Sequence, residues 1–210
     1  MILAPGQLIN RQRGAALLVA MCVMLALLVL GVSAARTALN GEKAARGERD
    51  RQIAFQAAEA ALGDAERDIE GTGIQEPVRA AMFAHTGASG FVDGCGVGDT
   101  NPGLGLCRRA GLSAAPAWQR APLAEAAGDK VRSVEYGRFT GAVMPVGRGT
   151  LPTRLPRYVI ELMPYARAGE DAAQRNANFY RITAIGFGAS EATQVVLQSF
   201  YLKASAGEAS

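Results

Sequence analysis

A chain of 210 residues, 49% of them hydrophobic, has room for one membrane segment and one domain of ordinary size. A formal net charge of +3 is too small for a nucleic-acid binder, which carries a clustered basic footprint. The single histidine, His85, removes most His-based catalytic and metal schemes at the start.

The hydrophobic excess sits in one place. Residues 1–14 hold Arg11 and Arg13 and no acid, and read as a short basic leader; its loss would leave a net charge of +1 from the +3 of the whole chain. Ala15 to Ala35 then runs AALLVAMCVMLALLVLGVSAA without a charge. About 21 residues at about 1.5 Å each cover a hydrocarbon core of about 30 Å, and a buried soluble helix of that length would carry polar residues on one face. The span 15–35 is therefore read as transmembrane. Basic residues do not orient it usefully. Arg11 and Arg13 precede it, Arg36, Lys43, Arg46, Arg49 and Arg51 follow, and a count of Lys and Arg alone would not place the C-terminus outside. A secretory signal has a shorter core of about 7–15 residues. VSAA at 32–35 imitates its cleavage site, but the chain continues beyond it as a helix.

Residues 36–70 extend that helix as a stalk. Gly41 and Gly47 weaken its first part, and from Asp50 the composition is rich in Ala, Glu, Gln and Arg. Phe55, Ala58, Leu62, Ala65 and Ile69 fall three and four apart and form an apolar stripe for helix–sheet packing. Glu59, Asp64, Glu66, Arg67 and Asp68 lie off the stripe and are expected to face water. Gly71 and Gly73 end the helix.

Residues 72–132 are rich in Gly, Ala and Pro and read as irregular, with one short helix around Pro77–Ala84. Strand signals fill 133–203: Ser133–Thr140, Arg157–Met163 between Pro156 and Pro164, Tyr180–Gly186 and Thr193–Leu202. Gly186–Ala192 suits a hairpin. In the last strand Val195, Leu197 and Tyr201 share one face and Val196, Phe200 and Leu202 the other, as in a sheet packed on a helix and partly covered outside. The expected class is α+β, with an antiparallel sheet of three or four strands closing over the helix seam. Residues 204–210 read as a disordered tail.

Several motifs carry a resemblance. QRGAALLVA resembles a class III prepilin signal, a basic leader ending in Gly before an apolar helix. GERDRQIAFQAAEAALGDAERDI, and within it the run at 50–62, is similar to the segment after the membrane helix in the PilX family of minor pilins. PRYVIEL, YRITAIGFG and TQVVLQSFY in the tail are similar too. The resemblance implies a pilin-like fold, cleavage between Gly14 and Ala15 by a prepilin peptidase and N-methylation of Ala15. It also implies a single pass of the inner membrane with the C-terminal domain in the periplasm, and assembly into the pilus at the cell surface. The implied partners are other minor pilins, the major pilin and a tip-associated adhesin; the implied role is initiation of type IV pilus assembly in a tip or priming complex. Typical major pilins have Phe first and Glu fifth in the mature chain; here Ala15 and Val19 stand there. A K-type pseudopilin of type II secretion also lacks that Glu and is the alternative.

The remaining chemistry is sparse. Cys95 and Cys107, close together in a Gly-rich loop, suggest one disulfide and an oxidising compartment. Zinc lacks two further ligands. Asp93, Asp99 and Asn101 have oxygens for calcium, but not at EF-hand spacing. Gly103-Leu-Gly105 and Gly186-Phe-Gly188 fall short of a phosphate-binding fingerprint. Arg108, Arg109 and Arg120 are the only hint of a DNA-binding loop. Cys22 reads as a small apolar membrane residue. No cofactor, no metal, no catalytic residue and no enzymatic activity are expected.

Overall fold

The chain alternates one long helix with a set of short segments that build a sheet around a seven-residue strand. The structure, a computed structural model, describes residues 15–74, 77–83, 88–111, 113–125, 128–163 and 178–203. The leader with Gly14, His85 and the tail 204–210 lie outside the described residues. In chain order the elements are α1 (Ala15–Glu70), α2 (Pro77–Met82), β1 (Leu106–Arg108), α3 (Ala117–Arg120), β2 (Val134–Glu135), β3 (Arg157–Met163), β4 (Asn178–Phe187) and β5 (Gln194–Lys203). Two compact units divide the chain, Met1–Gly47 and Glu48–Ser210.

In the first unit, α1 is exposed along its whole described length. Its polar stretch is held by local contacts, Arg46 with Glu42 at 2.5 Å and the Thr37 hydroxyl donating to the Ser33 carbonyl at 3.0 Å. Gly31, Gly41 and Gly47 sit in open space and are carried within a continuous helix.

In the second unit the sheet order is β1-β3-β4-β5, with β2 also pairing β3. The expected antiparallel core is present as β3–β4–β5. β1 adds a parallel strand, Leu106 opposite Ile160, so the sheet is mixed. That strand and α3 arise within the region read as irregular. β1 is three residues long, too short for a periodic signal, and it forms because β3 offers it an edge. The expected strand at Ser133–Thr140 shrinks to Val134–Glu135, after which the chain turns through Gly137 at φ 77°.

β3 and β4 are covered on both faces, each by a different part of the chain. Tyr158, Ile160, Tyr180 and Ile182 pack with Ala61, Ala65 and Ile69 of α1. On the opposite face Val159 and Ile185 pack with Cys95, Cys107, Ala117 and Leu123. In β5, where the sequence shows apolar residues on both faces, Val195, Leu197 and Tyr201 are half-buried while Val196, Phe200 and Leu202 are 45, 59 and 46% exposed.

The helix seam is rotated from the expected stripe. Ala58, Ala65 and Ile69 are fully buried, Leu62 is half-buried and Phe55 is exposed. Ala54, Ala57 and Ala61 are buried instead. The cause is close approach: a Cβ on Gly186 of β4 would run into the Ala54 carbonyl and the backbone of Ala58. A phenyl ring has no space between backbones that near, so Phe55 turns outward. Asp50 fixes the same end, accepting hydrogen bonds from Ser190 N (3.1 Å) and from the Thr193 hydroxyl in the β4–β5 turn. At the other end the Tyr201 hydroxyl donates to Glu70 at 2.5 Å and Lys203 Nζ to the Ile69 carbonyl at 2.6 Å. β5 therefore runs beside residues 50–70 in the same direction. Burial, and then the Glu70 carboxylate, push the Tyr201 phenol up to about 12.

Candidate functional site

Two features of α1 bear on function, one in each unit. The first is the apolar surface of Ala15–Ala35. Leu17, Val19, Leu27 and Leu30 are 66, 61, 62 and 65% exposed, and Cys22 is a free exposed thiol. A surface so apolar, with no charge on any side, is unfavourable in water by roughly 25 cal/mol per Å² of apolar area and calls for a lipid or protein environment. Among the described residues one helix is long and apolar enough to cross a membrane, which is compatible with single-pass anchoring. Ala15 is its first residue.

The second feature is a line of carboxylates inside the helix–sheet seam. Asp64 and Asp68, expected to face water, are fully buried. Asp64 accepts hydrogen bonds from Gly137 N at 2.7 Å and from the Thr140 hydroxyl, and pairs with Arg67 at 3.1 Å. Asp68 takes both ends of the Arg79 guanidinium, at 3.1 and 2.6 Å, and the Tyr158 hydroxyl at 3.1 Å. Arg79 is itself fully buried, donates to the carbonyls of Pro102 (2.7 Å) and Leu104 (2.9 Å), and lies 4.0 Å from the centre of the Phe139 ring. Burial, and next the Asp68 charge, push the Tyr158 phenol well above its ordinary value. A buried charge is tolerated only when paired and fully hydrogen-bonded, and this network meets that condition. Its chemistry is that of a clamp. Two helical carboxylates, each three positions after a buried alanine (Ala61, Ala65), fasten α1 to α2, through Arg79 to the loop before β1, and to the turn after β2.

Sequence reasoning missed this site because a charge on a helix is normally solvated. The available signal was spacing: Asp64 and Asp68 are four apart and flank Ala65, on the same helix face as Ala61.

The cysteine loop is built as expected in its main feature. Cys95 and Cys107 form a disulfide, with Cα atoms 4.0 Å apart. Gly94 and Cys95 both take positive φ, 74° and 72°. Arg132 Nη1 donates to the Gly94 carbonyl at 2.5 Å and steadies this turn. The groups weighed for calcium have protein partners. Asp93 pairs with Arg120 at 2.9 Å, Asp99 accepts from Gly128 N at 2.9 Å, and Asn101 bonds Gly103 N (2.8 Å) and the Val97 carbonyl (3.0 Å). Arg120 is thereby engaged, while Arg108 and Arg109 are exposed. Among the described residues no three His, Cys, Asp or Glu side chains cluster as metal ligands would. Glu59 is exposed on the helix.

Comparison with known families matches both halves of the chain. Residues 13–62 match the PilX N-terminal model, and residues 103–203 match the model described as Type IV pilus assembly protein PilX C-term. No individual curated protein and no solved structure matches significantly. The first match begins two residues ahead of the apolar helix and ends within the seam; the second takes in the disulfide's Cys107 and β1 to β5. With both family segments present in order over most of its length, the chain belongs to the PilX family and is a type IV pilus minor pilin, which interacts with other pilus components.

Proposed function

We propose that this minor pilin is a non-enzymatic packing subunit that helps initiate pilus assembly in a tip or priming complex. Its partners there are other minor pilins, the major pilin and a tip-associated adhesin, after processing at Gly14–Ala15 by a prepilin peptidase. The observation that carries the reading is Val19, the fifth residue counted from Ala15. In major pilins a glutamate stands there. A carboxylate in an apolar environment is costly unless paired, and its partner is the positive amino terminus of the preceding subunit. A first subunit has no predecessor, so valine at this place suits it. The disulfide supports a periplasmic position for the domain, since such bonds persist in oxidising compartments.

Val19→Glu tests the reading. The expected outcome is fewer pili per cell and loss of the subunit from sheared pili, because an unpaired carboxylate then lies in the apolar assembly. Unchanged piliation and unchanged incorporation would remove the argument for the tip.

A further inference from the structure

β1 pairs with β3 on one side, and its outer edge is covered by the chain's own segment Val92–Gly98. Arg108 N donates to the Val92 carbonyl at 2.8 Å, Gly96 N to the Leu106 carbonyl at 3.0 Å and Gly105 N to the Gly96 carbonyl at 3.3 Å. The Cys95–Cys107 disulfide joins the same two stretches. Little else presses the segment onto β1. Val92 and Asp93 are exposed, Val97 is half-buried, and Cys95 is the one fully buried side chain between Val92 and Gly98. The remaining contacts run toward residues 120–132: Asp93 to Arg120 at 2.9 Å, the Gly94 carbonyl to Arg132 at 2.5 Å and Gly98 N to the Val131 carbonyl at 3.0 Å. The backbone here is also uphill. Among the described residues Cys95 alone combines a side chain with a positive φ, 72°. An L-residue in that region sets its Cβ against the following carbonyl oxygen, so the conformation persists only where something enforces it. Three hydrogen bonds opposed by that cost are a weak hold, and the covalent bond supplies the rest.

We infer that the disulfide is an oxidation-dependent latch within the folded domain. With the sulfurs unjoined, Cys95 leaves its left-handed conformation and Val92–Gly98 lifts from β1. The N–H of Arg108 and the carbonyl of Leu106 are then uncovered while β1 stays paired with β3. Opening takes two electrons and two protons from a dithiol reductant and leaves two thiols; closing passes them to a disulfide oxidant. This differs from the constraint that a disulfide places on the unfolded chain. That constraint shifts the stability of the whole domain together, whereas the latch shifts the population of one local opening. The oxidation state of two sulfurs thereby sets whether a sheet edge is covered or free, and free edges invite pairing with other chains. The inference concerns residues 92–108 and uses neither Val19 nor the apolar segment.

Amide hydrogen exchange, followed by NMR on the full chain in detergent micelles, tests it. The oxidised chain is compared with Cys95→Ala/Cys107→Ala. The readout is the protection of the Gly96 and Arg108 amides divided by that of Ile182 in β4, a ratio from which any change in global stability cancels. Removing the disulfide is expected to lower this ratio by about tenfold or more, through local opening. Cys95→Gly/Cys107→Ala should recover roughly fivefold of that loss, because glycine adopts a positive φ at no steric cost. An unchanged ratio, or an equal fall with alanine and glycine at position 95, would overturn the latch. An equal fall at the Ile160 amide, which donates to the Gly105 carbonyl at 2.9 Å, would overturn it as well, since β1 would then be leaving β3. So would failure of the double variants to fold, since the latch leaves the rest of the domain in place.

Discussion

Asp68 shows how far a residue's role depends on partners remote in the chain. Arg79 lies 11 positions away and Tyr158 lies 90. Truncating the carboxylate leaves Arg79 buried and unpaired, so Asp68→Ala should cost about 3–5 kcal/mol, a large share of the roughly 5–15 kcal/mol that holds an ordinary domain. A urea unfolding curve measures it. The conservative Arg79→Lys should also destabilise, since a point charge cannot bridge both carboxylate oxygens and two carbonyls. Asp50 predicts a pH dependence. The Thr193 hydroxyl, and then backbone N–H groups of the β4–β5 turn, hold its carboxyl below the ordinary value of 3.8 against the opposing effect of burial. Its folded pKa is depressed, so its contribution is fully present above the ordinary value of 3.8 and is lost as pH falls from there through the folded pKa. The stability gap between the native chain and Asp50→Asn should therefore be full at neutral pH and close in acid, below about pH 4, as read by thermal unfolding across a pH series.

At the scale of elements, the contact between α1 and β4 is decided by backbone clearance. Small residues at Ala54, Ala57 and Ala58 let the helix approach Gly186, and the same closeness expels Phe55. Gly186→Val should destabilise by about 1–3 kcal/mol through overpacking, whereas Phe55→Ala should stay within about 0.5 kcal/mol, as surface changes do. Chemical denaturation of the two variants side by side checks the pair, and the opposite order would contradict the seam described here. The cysteine loop is the second such case. Cys95→Ser opens a loop with a sequence separation of 12 and removes a constraint on the unfolded chain. The expected loss is about 3 kcal/mol in the chain-entropy model, equal to the loss in a chain treated with reductant.

For the whole molecule the decisive quantity is where the mature chain begins. An apolar surface from Ala15 to Ala35, exposed on all sides, has to sit in lipid or against neighbouring helices. Mass spectrometry of the protein extracted from membranes is expected to find an N-methylated alanine at residue 15. A chain starting at Met1, or just beyond Ala35, would remove the basis for assembly through this helix. The long helix and the three main strands were legible from local composition: an uncharged apolar run followed by a stripe three and four apart, and runs of β-branched and aromatic residues, as in Arg157–Met163 between its two prolines. The clamp was not, because Asp64 and Asp68 look like ordinary solvated charges until α2 and the turn after β2 are folded against them. The parallel β1 was not legible either, since three residues carry no period.

The sequence by itself determined the apolar helix, the cysteine pairing, the strand-rich C-terminal part and the family, because these depend on local composition and on residues close along the chain. Only the tertiary structure decided which helix face is buried, that two carboxylates belong inside it, that a parallel strand joins the sheet, and that among the described residues β5 pairs on one side alone. The physical reason is common to all four. Burial of a charge, clearance between backbones and the pairing of a strand edge are properties of two segments at once, set by whichever distant part of the chain comes to lie alongside.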